Sequence, residues 1–285
     1  MKIITDSAAD ITAQQAENMK IEIVPIRIQF GTRECPMDTE EDFDDFFRQL
    51  QQSRELPKTS QPSPREYLRL FSEAQQADEE VLVITLSSGL SGTINAAQLA
   101  RSISGYEKIW ILDSEQAITT QRYLVERAAA LRDEGQDAAQ IAEYLSDLRR
   151  KMTVCGMLDT LTYLKMGGRI PAALAFLGNT LHIKPVIELK DKKLVMLGKA
   201  RGRKSAIQCL WKEFEEKKPD DSHPVYFGYT LDREFGQEFM EMTRKRYGLK
   251  NCRLVPVGGV IGTHVGPSCI AISLFINSIS MRKSI

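Results

Sequence analysis

The sequence predicts an α/β protein in two parts, a parallel-sheet α/β portion followed by an α+β portion. Three observations predict it. Short β-branched apolar runs alternate with helical patterns up to about residue 150, the signature of a parallel sheet covered on both faces. Two of those runs end in the same turn-forming pair, Asp6-Ser7 and Asp113-Ser114. Beyond that point two apolar runs flank a polar turn, Lys190-Asp191-Lys192, which reads as a hairpin and breaks the alternation. The expected division is 1–152 and 153–285.

Residues 2–5 read as a buried strand and 11–19 as a helix. Residues 21–30 read as an extended segment broken at Pro25, which cannot donate to a sheet ladder. Thr39 to Asp42 has the form of a capping box, and Phe43, Phe46, Phe47 and Leu50 then recur at helical spacing. Ser63-Pro64-Arg65-Glu66 is a second start signal, with the hydroxyl at the cap and proline at the first helical position. Residues 81–86 form the strongest buried-strand candidate, followed by Ser87-Ser88-Gly89-Leu90-Ser91-Gly92-Thr93 and a helix to 102. A strand at 108–112 and helices at 119–133 and 138–152 complete the first part. In the second, a helix from 159 stops at Gly167-Gly168. Strands are predicted at 183–189, 193–197, 225–230, 253–257 and 271–276, with helices at 204–216 and 233–247. The stretch 258–267 reads as a flexible glycine-rich loop, and 217–221 as a solvated one.

Composition removes several classes of function. The 285 residues carry 38 Lys+Arg and 38 Asp+Glu, so the formal net charge is zero. Nothing marks a nucleic-acid binder, which needs surplus cations or a basic patch. A content of 42% apolar and 27% charged residues suits a folded chain. The start, MKIITDSAAD, lacks an export signal, and the longest apolar stretch, 269–276, is too short to span a bilayer. Cysteines at 35, 155, 209, 252 and 269 show no CxxC spacing and suit a reducing cytoplasm. The histidines, His182, His223 and His264, are too scattered in sequence to suggest a metal site.

Three segments can carry chemistry. The strand–turn–helix unit at 81–102 offers a helix N-terminus, glycines that let an anion approach the backbone, and the hydroxyls of Ser87, Ser88, Ser91 and Thr93. A capped βα loop with no ligand explains the same residues. Thr59-Ser60-Gln61-Pro62-Ser63 holds two hydroxyls too early to cap the next helix. Gly258 to Pro267 holds one histidine, His264, in an apolar setting. A nucleophile elbow fails at Thr93, a P-loop fails around Gly202-Arg203-Lys204-Ser205, and Gly258-Gly259-Val260-Ile261-Gly262 does not fit a dinucleotide fingerprint.

Taken in order, these segments resemble the DegV family of bacterial fatty-acid-binding proteins. The matching pieces are Thr5-Asp6-Ser7-Ala8-Ala9-Asp10, Thr59-Ser60-Gln61-Pro62-Ser63, Leu86-Ser87-Ser88-Gly89-Leu90-Ser91-Gly92-Thr93 and Asp113-Ser114. Gly167-Gly168-Arg169-Ile170, Ile183-Lys184-Pro185-Val186, Ala200-Arg201 and Thr263-His264-Val265-Gly266-Pro267 continue the match across the chain. Ser268-Cys269 departs from it, where the family often has a further glycine and a small residue. The resemblance implies two domains with a long-chain fatty acid buried between them and no other cofactor. It implies a non-catalytic subunit that presents the acyl carboxylate to a partner kinase resembling dihydroxyacetone kinases. Carried over by position, Thr59, Ser60, Ser91, Gly92 and His264 would hold the carboxylate. Arg169, Arg201 and, more weakly, Arg203 would meet the kinase, outside the cradle. Membrane contact, if the chain makes any, is expected to be transient.

The physics fits that implication. A chain of about 16 to 18 carbons buries roughly 15 methylenes at about 0.8 kcal/mol each, a gross gain of roughly 12 kcal/mol. Association costs take back several kcal/mol. A buried carboxylate needs hydrogen-bond partners, and neutral hydroxyls, helix N–H groups and an imidazole can supply them. The competing reading is a stand-alone hydrolase or phosphotransferase using Ser91 with His264, against which stand the incomplete elbow and the lack of a third triad member.

Overall fold

The computed structural model describes residues 1–53, 55–170 and 183–276. His182 lies outside them. Four parallel strands form the first sheet in the order β2 (Ile21–Val24), β1 (Lys2–Asp6), β6 (Val81–Thr85), β7 (Ile109–Asp113). Side chains alternate across its central strands with period two. Ile3, Leu82 and Ile84 pack with Leu124, Ile141 and Leu145 on one face, while Ile4, Val81 and Val83 pack with Tyr67, Phe71 and Ala97 on the other. Helices α1 (Ala13–Met19), α5 (Ile118–Asp133) and α6 (Ala138–Leu148) therefore cover one face, and α3 (Pro64–Gln76) with α4 (Thr93–Ser104) cover the other.

Pro25 ends β2, and the chain then leaves the parallel sheet. It enters a small antiparallel sheet of β4 (Arg33–Glu34), β3 (Arg27–Phe30) and β5 (Lys58–Ser60), beside α2 (Glu40–Gln52). The predicted caps form: Thr39 with Asp42 and Ser63 with Glu66 each make a reciprocal capping box.

The third sheet is mixed, in the order β10 (Lys193–Arg201), β9 (Ile183–Lys190), β8 (Met152–Met157), β13 (Ile270–Phe275), β11 (Val225–Tyr229), β12 (Cys252–Pro256). Only β11 and β12 pair in parallel. One face packs under α8 (Gly202–Lys217) and α9 (Arg233–Tyr247) through Leu210, Phe214, Phe227 and Phe239. The other face carries Val154, Leu189 and Ala271 towards Ile28, Phe46, Leu86 and Ile118 of the first half. The first half thus closes over the sheet.

Several expectations change. The helix predicted at 138–152 ends at Leu148, and the strand β8 that follows it was not predicted. The helix after β8 is shorter than predicted, α7 (Thr162–Met166), because the Thr160 hydroxyl accepts the Thr162 N–H at 3.1 Å and holds the preceding residues in a turn. The glycine-rich stretch is ordered rather than flexible: Gly259–Val265 is a helix, α10. Its glycines exist for packing. A Cβ on Gly259 would fall 2.8 Å from Phe46, and one on Gly262 would fall 2.5 Å from Phe47. The phenylalanine stripe of α2 and the glycines of α10 form one contact.

Candidate functional site

A cavity lies beyond the C-terminal ends of β1 and β6, where open parallel sheets place ligands, and over the inner face of the mixed sheet. The empty space there, counted together with its open mouth, is about 810 Å³. Both halves build it: Leu86, Leu90 and Ile118 face Val154, Ile187 and Leu189 across the space. Its polar side chains are Thr59, Ser91, Arg169 and His264. The lining is that of an aliphatic slot with one small polar patch.

Local structure sets each polar group. In β5, Thr59 pairs with Ile28 and Ser60 with Arg27. Successive strand residues face opposite ways, so Thr59 lines the cavity and Ser60 is exposed outside its lining. Ser91 stands just before α4; its Oγ lies 2.8 Å from Thr93 Oγ1 and accepts the Thr93 N–H at 3.3 Å. Gly92 is the N-cap of α4 and is absent from the lining. A Cβ there would fall 2.1 Å from Gln61 Oε1, so the Gln61 side chain packs directly over this glycine.

His264 sits in the last turn of α10, with Nε2 3.3 Å from Thr59 Oγ1. Its Nδ1 is buried without a partner. Burial, reinforced by the positive charge of Arg169, pushes its pKa down to about 4. The imidazole is therefore neutral at pH 7, with one N–H to donate. Gly167 touches it so closely that a Cβ would fall 2.2 Å from Nδ1. Of the predicted capping pair, only Gly168 has a positive φ, +68°; Gly167 makes room for the ring.

Arg169 does not stay outside the cradle. It lines the same cavity, with Nε donating to the Leu90 carbonyl at 3.2 Å and Nη1 to the Gly167 carbonyl at 2.8 Å. The tight turn after α7 brings this exposed side chain to the cavity wall, so the patch carries one full positive charge. Arg201 is exposed at the end of β10, where it is the N-cap residue of α8. Arg203 pairs with Asp232 at 3.3 Å and stacks on Phe235.

Sequence reasoning missed the contributions of Gly167, Arg169 as a wall residue, and Asp10. Asp10 Oδ1 accepts the Gly258 N–H at 2.9 Å and so fixes the start of α10, the helix that ends in His264. A second glycine where a C-cap needs only one was the readable signal for Gly167. The Ser–His pairing required of a hydrolase is not formed, since Ser91 bonds Thr93 and His264 bonds Thr59. Among the described residues no cluster of three or more His, Cys, Asp or Glu side chains can hold a metal ion. All five cysteines are free, and no described helix is long and apolar enough to cross a membrane.

Known proteins share this architecture. A curated fatty acid-binding protein of Thermotoga maritima is 29% identical over 283 residues, covering 96% of this chain and 97% of its own. The crystal structure of a stearic acid-binding protein from Eubacterium ventriosum superposes with a TM-score of 0.86 at 28% identity, covering 96% of this chain and 97% of that one. A DegV family protein from Thermus thermophilus, described for its fatty acid binding, gives a TM-score of 0.85 at 28% identity over 97% and 99% of the two chains. The family model described as "Uncharacterised protein, DegV family" matches residues 1–277. With the family model spanning nearly its whole length, this chain belongs to the DegV family.

Proposed function

We propose that the protein binds a long-chain fatty acid in this cavity and presents its carboxylate, in the cytoplasm, to a partner kinase that forms the acyl phosphate. The observation that carries the reading is the pairing of an almost wholly aliphatic slot with a single patch of Thr59, Ser91, Arg169 and His264. The tail lies between the units 1–152 and 153–285. Its head accepts hydrogen bonds from the two hydroxyls and the neutral imidazole, and Arg169 supplies the counter-charge that a buried carboxylate requires. The names of the Thermotoga, Eubacterium and Thermus relatives support the ligand class. The kinase rests on the resemblance of the motifs, with Arg169, Arg201 and Arg203 as its contacts.

Lipid extraction and mass spectrometry of protein purified from cells should recover a fatty acid of about 16 to 18 carbons, for which burial of roughly 15 methylenes exceeds the association cost. Protein that arrives empty and takes up no oleate would overturn the reading. The double variant Ser91→Ala with His264→Ala should lower acyl-phosphate formation with the kinase; unchanged turnover would remove both residues from the cradle.

A further inference from the structure

The turn between β9 and β10 has two residues, Asp191 and Lys192, because Lys190 pairs directly with Lys193. Two-residue hairpin turns of this kind require positive φ at both positions and favour Asn-Gly or Asp-Gly. Here the angles are +48° at Asp191 and +65° at Lys192. A lysine therefore occupies a left-handed position that glycine adopts without cost.

What that lysine touches explains its presence. Its Nζ lies 2.9 Å from Asp113 Oδ2 and 3.3 Å from Glu115 Oε1, on the first half of the chain. Asp113 Oδ1 in turn accepts the Ser88 N–H at 3.1 Å and the Glu115 N–H at 3.0 Å. Burial would raise the Asp113 pKa, but the hydrogen bonds from Ser88 and Lys192 outweigh it and hold the carboxyl below its usual value. The lysine carbonyl also presses on the same loop, for a Cβ on Gly89 would fall 1.9 Å from that oxygen. Two residues further on is Ser91. On the same hairpin, Ile187, Leu189 and Leu194 line the acyl slot.

We propose that Lys192 is a positioning residue for the carboxylate cradle: it clamps the hairpin wall of the slot onto the loop that carries Ser91, and the ligand leaves when this clamp opens. The proposal rests on the fatty-acid reading for its ligand. It does not rest on that reading for its mechanics. Strain kept at a turn where glycine would relieve it is the expected mark of a side chain retained for a contact.

The test uses the full chain and cis-parinaric acid, a fluorescent long-chain fatty acid, released to excess albumin in stopped flow. Lys192→Met and Lys192→Gly are each expected to release it about fivefold to tenfold faster, the range for losing one partly exposed charged contact. Lys192→Arg should stay within about twofold of wild type. The glycine variant is decisive, because it relaxes the turn. Faster release from a relaxed turn supports the clamp, and release at the wild-type rate overturns it. Hydrogen–deuterium exchange on ligand-free protein is the second arm. Faster exchange in residues 87–92 and 186–195 of Lys192→Met supports the clamp, and unchanged exchange overturns it. If wild type takes up no parinaric acid, the fatty-acid reading fails and the exchange arm alone decides the clamp.

Discussion

Replacing Gly167 by alanine adds one methyl group and should cost the protein much of its affinity for a fatty acid. The backbone accepts the change, since φ at Gly167 is −76°. The side chain does not fit: its Cβ would fall 2.2 Å from His264 Nδ1 and 2.8 Å from Cε1. Unstrained contacts need about 3.5 Å, so the ring must retreat by roughly 1 Å. The Thr59–His264 contact, already 3.3 Å long, is lost with such a movement, since hydrogen bonds fail near 3.6 Å. The displaced ring also withdraws from the carboxylate of the proposed ligand, and a hydrogen bond to a charged group is worth about 1.5–3 kcal/mol, which makes binding roughly 10- to 150-fold weaker. Parinaric acid titration gives the affinity, and a double-mutant cycle gives the cause. If the methyl acts through the ring, Gly167→Ala should add almost nothing in a His264→Ala background. An equal loss in both backgrounds would refute the argument and move the role of Gly167 to the backbone.

The remaining predictions concern the slot and two buried titratable groups. Gly156 lines the slot, and a Cβ there meets the Ile270 carbonyl at 3.3 Å, which must give by a few tenths of an ångström, and the Ala271 Cβ at 3.7 Å; Gly156→Ala should shift the co-purified lipids to shorter chains by mass spectrometry. Burial lowers the His264 pKa from 6.5 to about 4, so this group's contribution is present above its unfolded value and is lost as pH falls towards 4. His264→Gln should flatten that acid-side loss in denaturant titrations, with the wild type declining between about pH 6.5 and 4. Asp10 has the opposite sign: burial raises it from 3.8 to about 8 against the pull of the Gly258 N–H and Arg122. Its contribution is present at low pH and lost as pH rises, so Asp10→Asn, which keeps an acceptor for Gly258, should gain on wild type between about pH 5 and 8.

Local signals carried most of the fold into the sequence. The alternation of β-branched runs and helical stripes, the Thr39 and Ser63 caps and the break at Pro25 are each decided within a few residues, and all appear in the structure. Of the misread elements, α7 is cut short by a local hydroxyl turn, whereas α10 depends on partners far away in the chain. Gly258 to Gly266 looked like a loop because glycine is a poor helix former. In the structure those glycines admit the rings of Phe43, Phe46 and Phe47, and tertiary contact pays for the propensity that was lost. No window of sequence around residue 260 contains that information.

The polar patch was legible to a different degree for the same reason. Thr59, Ser91 and His264 could be singled out, because hydroxyls and a histidine stood in segments with no local task for them, and all three line the cavity. Ser60 and Gly92 enter only through the resemblance, and neither lines the cavity: strand alternation turns Ser60 outward, and Gly92 packs against Gln61. Arg169 shows where charge reasoning from sequence stops. A neutral cradle is sufficient for a hydroxyl-rich site considered alone. The folded mouth instead brings a guanidinium beside an imidazole whose pKa burial had already lowered. In the proposed complex a neutral imidazole and a cation at the same opening would divide the work: the ring and hydroxyls would orient the carboxylate, and the arginine would keep it ionised in an apolar setting. That division predicts that Arg169→Gln weakens fatty acid binding more at low ionic strength than at high, because salt screens the charge at the exposed mouth and leaves the buried hydrogen bonds untouched. Equal losses at both salt concentrations would place the role of Arg169 in its hydrogen bonds to Leu90 and Gly167 instead.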